Sequence, residues 1–351
     1  MSSGRMEQRK DGDGASVGIR DVAREAGMSV ASVSRALNQP DLLSAKALER
    51  VQDAIERLNY IPNSAARALS RQRMNTIGAV IPTLGHSVFA AFIDAYQSRA
   101  EALGYRIVMA NTHFDAAREL AEVRNLLSYG IEGFLLAGET HDPELHRLLA
   151  KRRVPYVHTS VFSPDSPHPT VGYDNRAATR RVTDYLISLG HRRIAALPGP
   201  RATNDRMVYR VAGIREALTA RGLALPESLI VERKYSIAHA RDGARELLSR
   251  RPRPTAIVCG QDVLAFGTIL EAQEQGLRVP EDLSVTGFDD VEFAAHINPS
   301  LTTIDVPVED MGLRAAEHLI AQLNGESPPR HLRIPVDLVV RDSTGPVAPE
   351  G

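Results

Sequence analysis

The sequence predicts an all-α segment of three short helices followed by an α/β core of two doubly wound, parallel-sheet lobes, and three observations lead there. Before Tyr60, apolar residues recur at three- and four-residue intervals in three short runs, the period of helices that share one small core. From Thr76 onward, short apolar runs alternate with longer amphipathic segments, the texture of parallel strands joined by helices. That rhythm occurs twice, with a break near residues 163 to 175, so two lobes are expected.

Residues 1 to 16 are Ser, Gly and mixed charge, which predicts a flexible leader. The first helix is expected from Ile19 to about Ala26, with Val22, Ala23 and Ala26 on one face and Gly27 in its C-terminal turn. Ser29 can cap a second helix to about Leu37, in which Val30, Val33 and Leu37 repeat at helical spacing. A third follows Ser44, with Leu48, Val51, Ile55 and Leu58 as its stripe and Pro62 as its stop. In the core, TIGAVIP, YRIVMAN and IEGFLLAG are read as strands, with FAAFIDAYQSRAEALG and ELAEVRNLLSYG as the helices between them. The second half repeats the rhythm through RRIAALPG, MVYRVAGIREALTARG, SLIVERKY, ARDGARELLSR, TAIVCG, VLAFGTILEAQEQG and LSVTGF. Open α/β folds bind ligands beyond the carboxyl ends of their strands, so a cleft between the lobes is the expected site.

Composition narrows the class. A chain of 351 residues with 43% hydrophobic and 24% charged content can bury two or three cores and is not expected to be disordered throughout. Its single cysteine, Cys259, cannot form an internal disulfide, and no CxxC or Cys/His cluster suggests zinc. The first residues lack an apolar signal region and no long apolar run follows, so a cytoplasmic location is expected. Residues 1 to 74 hold 12 Lys and Arg against 9 Asp and Glu, whereas the remainder holds 30 against 34. A basic excess on a small helical segment points to a polyanion partner.

The stretch IRDVAREAGMSVASVSRALN, residues 19 to 38, has the layout of a helix-turn-helix. The first helix braces the second so that the second's N-terminal residues enter the major groove. Small side chains let that helix approach DNA, and Ser hydroxyls and the helix N-terminus suit phosphate.

DVAREAGMSVASVSRALN, followed by LNYIPNSAARALS, closely resembles the DNA-binding segment of the lactose/galactose repressor (LacI/GalR) family of bacterial transcription regulators. LGHRRIAALPGP, RVAGIREAL, GLRVPEDLSVTGFDD and LTTIDVP carry the likeness through nearly all of residues 18 to 345. The resemblance implies a headpiece at 17 to 62, a hinge helix and linker at 63 to 75, a core at 76 to 345 and a tail at 346 to 351. The core resembles periplasmic binding proteins, with one lobe at about 76 to 173 and 306 to 334 and the other at about 174 to 305 and 335 to 345. It also implies residue roles. Val30 and Ala31 fall at base-discriminating positions and Arg35 at that of a base-contacting arginine, a side chain matched to guanine O6 and N7. Val30 and Ala31 could instead pack against Tyr60 or the third helix. Ser29, Ser32, Ser34, Asn38, Ser44, Tyr60 and Asn63 match phosphate or positioning contacts. In the hinge, Asn63 can cap, Ala66 keeps one face small, and Leu69 matches a leucine that wedges between base steps in the minor groove.

For the cleft, the resemblance implies Arg210 as the ligand-gripping arginine and Asp289 as the hydroxyl-binding aspartate. Gln261 stands at a polar position, His86, Val88 and Phe89 on the loop after the first strand, and Ser160 and Tyr173 near the crossings between lobes. Ser160 and Val306 depart from the lactose-type members, which argues against an identical galactoside pocket. GETHDPELHRLL resembles gluconate-type repressors, and His86, His158, Arg206 and Arg210 could together favour an anionic sugar. Arg210 could otherwise be a surface residue and Asp289 a helix cap.

Catalysis is not expected: GxSxG, Walker A and GxGxxG patterns are missing, the histidines lack metal spacing, and Asp289 and Asp290 should point apart. No cofactor is expected. The expected partners are operator DNA, a sugar or sugar-acid effector and a second copy of the chain, with residues 308 to 323 contributing an amphipathic helix to a homodimer face. A sugar-binding module whose headpiece serves a non-operator partner remains the alternative.

Overall fold

The computed structural model describes residues 17 to 61, 74 to 85 and 87 to 347. The expectations for the leader and for Asn63, Ala66, Leu69 and His86 lie outside the described residues. The chain divides into two units, Met1–Met74 and Asn75–Gly351.

The first unit holds α1 (Ile19–Glu25), α2 (Val30–Asn38) and α3 (Ala45–Leu58). Their core is built from Val22, Ala23 and Ala26, Val33 and Ala36, and Val51 and Ala54, flanked by Leu48, Ile55, Leu58 and Tyr60. Gly27 takes a left-handed φ of 60° between α1 and α2. The Arg50 guanidinium reaches across from α3 to donate to the carbonyls of Ala26 (2.6 Å) and Gly27 (3.4 Å), so the third helix closes the turn. Two expectations change. The third helix ends at Leu58 because Asn59 adopts a left-handed φ of 46° as its C-cap, not at Pro62. Val30 stays outside the apolar core at 42% exposure, because it is the first residue of its helix and burial begins a turn later at Val33.

The second unit opens with a six-stranded sheet in the order β10-β5-β4-β3-β1-β2. Its strands are β1 (Thr76–Ile81), β2 (Arg106–Asn111), β3 (Phe134–Ala137), β4 (Tyr156–Thr159), β5 (Thr170–Gly172) and β10 (His331–Arg333), all paired in parallel. Alternation sorts the side chains. Ile77, Ala79, Leu135 and Val157 face α4 (Ser87–Ala102) and α11 (Val308–Leu323), whereas Val80, Phe134 and Leu136 face α5 (Ala116–Ser128) and α6 (Pro143–Arg152). The second lobe is a parallel sheet of β6 (Ile194–Leu197), β7 (Ala256–Cys259) and β8 (Ser284–Thr286). Its helices pack in pairs, α7 (Asn175–Ser188) with α8 (Asp205–Thr219) and α9 (Ile237–Leu248) with α10 (Asp262–Glu274).

SLIVERKY does not form a regular strand. It lies along β6 through Val231 N–H to Ala196 O and Arg233 N–H to Pro198 O, both 3.0 Å, but makes a single bridge at Ile230. Its polar half is drawn sideways, where Glu232 accepts from Arg201 Nε at 2.6 Å. The helix at 308 to 323, expected on a dimer face, spends its apolar stripe within the lobe. Met311, Ala315, Leu319 and Ile320 are buried and α11 lies against α4, β4 and β5, so its amphipathicity gives no support to a dimer contact.

Chain crossings join the lobes side by side. Ile334 N–H donates to Gly172 O at 2.7 Å, Asn175 Nδ2 donates to Ser160 O at 3.0 Å, and β9 (Thr303–Asp305) pairs antiparallel with β11 (Asp337–Val339). Among the described residues, no helix is long and apolar enough to cross a membrane.

Candidate functional site

On the first unit, Ser29 caps α2 by accepting from Ser32 N at 3.1 Å, and the two hydroxyls lie 2.8 Å apart. The cap directs the start of α2 outward, where Ser29, Val30, Ala31 and Arg35 are exposed and Ser32 and Ser34 half-buried. The alternative in which Val30 packs inside is excluded by its exposure. Asn38 Nδ2 donates to Ser34 Oγ at 3.4 Å, and Ser44 caps α3 by accepting from Ala47 N, also at 3.4 Å. Tyr60 is half-buried against the three-helix core. The outer face of α2 therefore carries hydroxyls, two small apolar side chains and one exposed guanidinium.

In the second unit, all seven described effector candidates line one cleft between the lobes. Val88, Phe89, Ser160, Tyr173, Arg210, Gln261 and Asp289 surround it, joined by Phe114, Asn204, Arg206 and Tyr235. Arg210 is buried, which disposes of the surface alternative. Its Nε donates to Asn175 Oδ1 (2.9 Å), its Nη2 to Tyr173 OH (3.1 Å) and its Nη1 to the Gly260 carbonyl. The guanidinium lies 3.4 Å from the Phe288 ring centroid and 3.9 Å from Asp289. A fork held on so many sides is fixed in direction.

Burial pushes the Asp289 carboxyl up to about 7, against the pull of Arg210 and Arg206 and a hydrogen bond from Gln261. Asp262 is buried behind it, and burial with the neighbouring Asp289 charge raises that carboxyl well above the usual range. Asp262 accepts from Thr303 Oγ1 (2.6 Å) and Val291 N (2.9 Å), tying down the loop that carries Asp289. The Gln261 Oε1 atom is buried with no partner among the described residues, an acceptor suited to a ligand hydroxyl. Asp290 points away as expected and forms a two-pronged pair with Arg341 at 2.7 and 3.0 Å.

Backbone strain gathers around the same cleft. His113, Phe114, Ser160, Asp289 and Asp290 all take positive φ, at the ends of β2, β4 and β8, a conformation that non-glycine residues adopt at a cost. The turn at Phe114 brings its ring to 5.9 Å from that of Tyr235. Sequence reading missed Phe114, Asn204 and Tyr235; only the strand-end rule pointed to them. His158 was grouped with the cleft and is not there. It is fully buried with its Nε2 3.0 Å from His146 Nε2, because alternation along β4 turns it toward α6. Nor did spacing reveal that His141, His146 and His158 converge.

A helix-turn-helix unit with an outward polar helix, together with a two-lobed α/β core that encloses a charged cleft, defines a DNA-binding regulator with a ligand-binding domain. Comparison with known proteins agrees. Residues 18 to 63 match the model for bacterial regulatory proteins of the lacI family, and residues 183 to 344 match the periplasmic binding protein-like domain. Catabolite control protein A of Priestia megaterium is 32% identical over 329 residues, 93% of this chain and 99% of that protein. The HTH-type transcriptional regulator GntR of Escherichia coli K12 is 32% identical over 309 residues, 88% of this chain and 92% of that one. The crystal structure of the lac repressor dimer bound to operator and the anti-inducer ONPF superposes with a TM-score of 0.86 at 30% identity, covering 94% of this chain and all of that one. The chain belongs to the LacI family of transcriptional regulators; these relatives are regulators and not enzymes.

Proposed function

We propose that the chain is a repressor that binds a pseudo-palindromic operator as a homodimer, with an anionic sugar, a sugar acid or phosphorylated sugar, as the effector between its core lobes. The observation that carries the effector class is the pairing of the buried Arg206 and Arg210 guanidiniums in one cleft with Asp289, whose carboxyl is half neutral near pH 7. Phe89, Phe114 and Tyr235 supply apolar ring faces for a sugar, and Gln261 supplies the unpartnered acceptor. The resemblance of GETHDPELHRLL to gluconate-type repressors favours the same class.

For DNA, the exposed Val30, Ala31 and Arg35 read bases while Ser29, Ser32, Ser34, Asn38, Ser44 and Tyr60 position the helix on phosphates. By the family resemblance, Asn63, Ala66 and Leu69 add contacts in the minor groove. A ligand that favours one state of lobe closure shifts operator affinity by its preference for that state. The likeness to a repressor dimer solved on its operator supports the homodimer.

The test is footprinting of the purified protein on fragmented DNA of its source, with and without D-gluconate, 6-phosphogluconate and D-glucose. Discrete two-fold sites whose occupancy responds to the acids but not to glucose are expected; diffuse, salt-sensitive binding alone overturns the operator assignment. In the same assay, Arg35→Ala should cost about 1–3 kcal/mol of specific affinity and leave nonspecific binding nearly unchanged.

A further inference from the structure

Four histidines that play no part in the cleft meet in the first lobe. His141 lies in the loop after β3, His146 on α6, His158 on β4 and His168 in the loop before β5. One ring nitrogen from each of His141, His146 and His158 lies within 4.8 Å of the others, and the ring centroids of these three are 4.7 to 5.4 Å apart. His168 stacks on His146 at 3.8 Å and is held by Tyr156 OH at 2.6 Å. We propose that His141, His146 and His158 form a binding site for a divalent transition-metal ion of the zinc type.

Three features carry the assignment. The donor set is imidazole throughout, which suits Zn²⁺, Ni²⁺ or Cu²⁺ and not Mg²⁺ or Ca²⁺. The Nε2 atoms of His146 and His158 are 3.0 Å apart, close to the roughly 3.4 Å between nitrogens that share a tetrahedral zinc at about 2.0–2.1 Å each. His141 Nδ1 lies 2.7 Å from the buried Glu119 carboxylate, the carboxylate–histidine arrangement that fixes a ligand's tautomer. Its Nε2, 2.9 Å from Gly138 O, must give up that contact and a proton if it is the nitrogen that ligates. His158 Nδ1 is buried with no partner among the described residues, so packing four rings here is not explained by hydrogen bonding alone.

The site is separate from the effector cleft but touches its scaffold. Glu119 lines the neighbouring pocket with Asp205 and Arg206. The loop bearing His141 also carries Glu139, whose backbone N–H donates to Asp205 at 2.8 Å and whose carboxylate accepts from Tyr209 at 3.1 Å in the other lobe. A bound ion ties that loop to β4 and α6.

The experiment uses the full chain, stripped with chelator and dialysed, and titrated with Zn²⁺ calorimetrically and with Co²⁺ by visible absorption. One ion per chain at micromolar affinity or tighter is expected, with the ligand-field bands of nitrogen-bound Co²⁺. His146→Ala, on a half-exposed helix face, should weaken Zn²⁺ at least about thirtyfold and abolish the bands, with an unchanged far-ultraviolet spectrum. His168→Ala, which removes only the covering ring, should weaken it less than tenfold. Absence of saturable binding up to 0.1 mM, roughly the weak limit for a specific site, overturns the proposal. So does equal affinity in wild type and a folded His146→Ala protein.

Discussion

Arg210 and Asp289 show how much of the cleft's chemistry depends on single side chains. Lysine at 210 keeps the charge but cannot reach Asn175, Tyr173 and Gly260 together as the guanidinium does. Arg210→Lys should therefore raise the Kd for D-gluconate by about ten- to a hundredfold in calorimetry, the worth of one or two charged hydrogen bonds. Asp289 sets the pH dependence. Its carboxyl, raised to about 7, is neutral below that pH and ionised above it, facing Arg210, Arg206, Gln261 and the buried Asp262. An anionic effector meets a mostly neutral carboxyl at pH 6 and a mostly ionised one at pH 8, so its affinity should fall by about tenfold across that interval. Asp289→Asn should flatten the profile; an unchanged slope in that variant assigns the titration to another group.

Helices in the core pair by close approach of their backbones. A Cβ on Gly312 of α11 would sit 2.5 Å from Phe92 O of α4, and one on Gly213 of α8 would sit 2.2 Å from Arg176 O of α7. Backbone carbonyls inside helices cannot swing aside, so the strain is relieved only by separating the pair. Gly312→Ala should destabilise the core by about 1–3 kcal/mol in denaturant melts despite the better helix propensity of alanine. A gain in stability there would mean that α11 and α4 are less tightly apposed than their contact geometry implies.

For the whole molecule, two units with separate cores should unfold separately. Calorimetric melting is expected to give two transitions, since each unit closes its own apolar core. D-gluconate at a hundred times its Kd should stabilise the larger one by about 2.7 kcal/mol and leave the headpiece transition in place. Movement of both together would show that the units are thermodynamically coupled in the absence of DNA.

The sequence by itself determined the kinds of elements and the order of the two units, because periodicity, capping residues such as Ser29 and Ser44, and apolar runs such as TIGAVI act through near neighbours along the chain. Residue likeness singled out Arg210, Asp289 and Gln261 before their convergence could be seen. Tertiary structure decided what depends on distant partners. Asn59 stopped α3 ahead of Pro62, Arg201 drew SLIVERKY out of a strand, and α4 absorbed the face of α11 that amphipathicity had assigned to a dimer contact. It decided, too, that His158 turns from the cleft toward His141 and His146. The reason in each case is the same: spacing along a chain specifies which face a side chain takes on its own element, whereas the partner opposite that face is supplied by a segment far away in sequence.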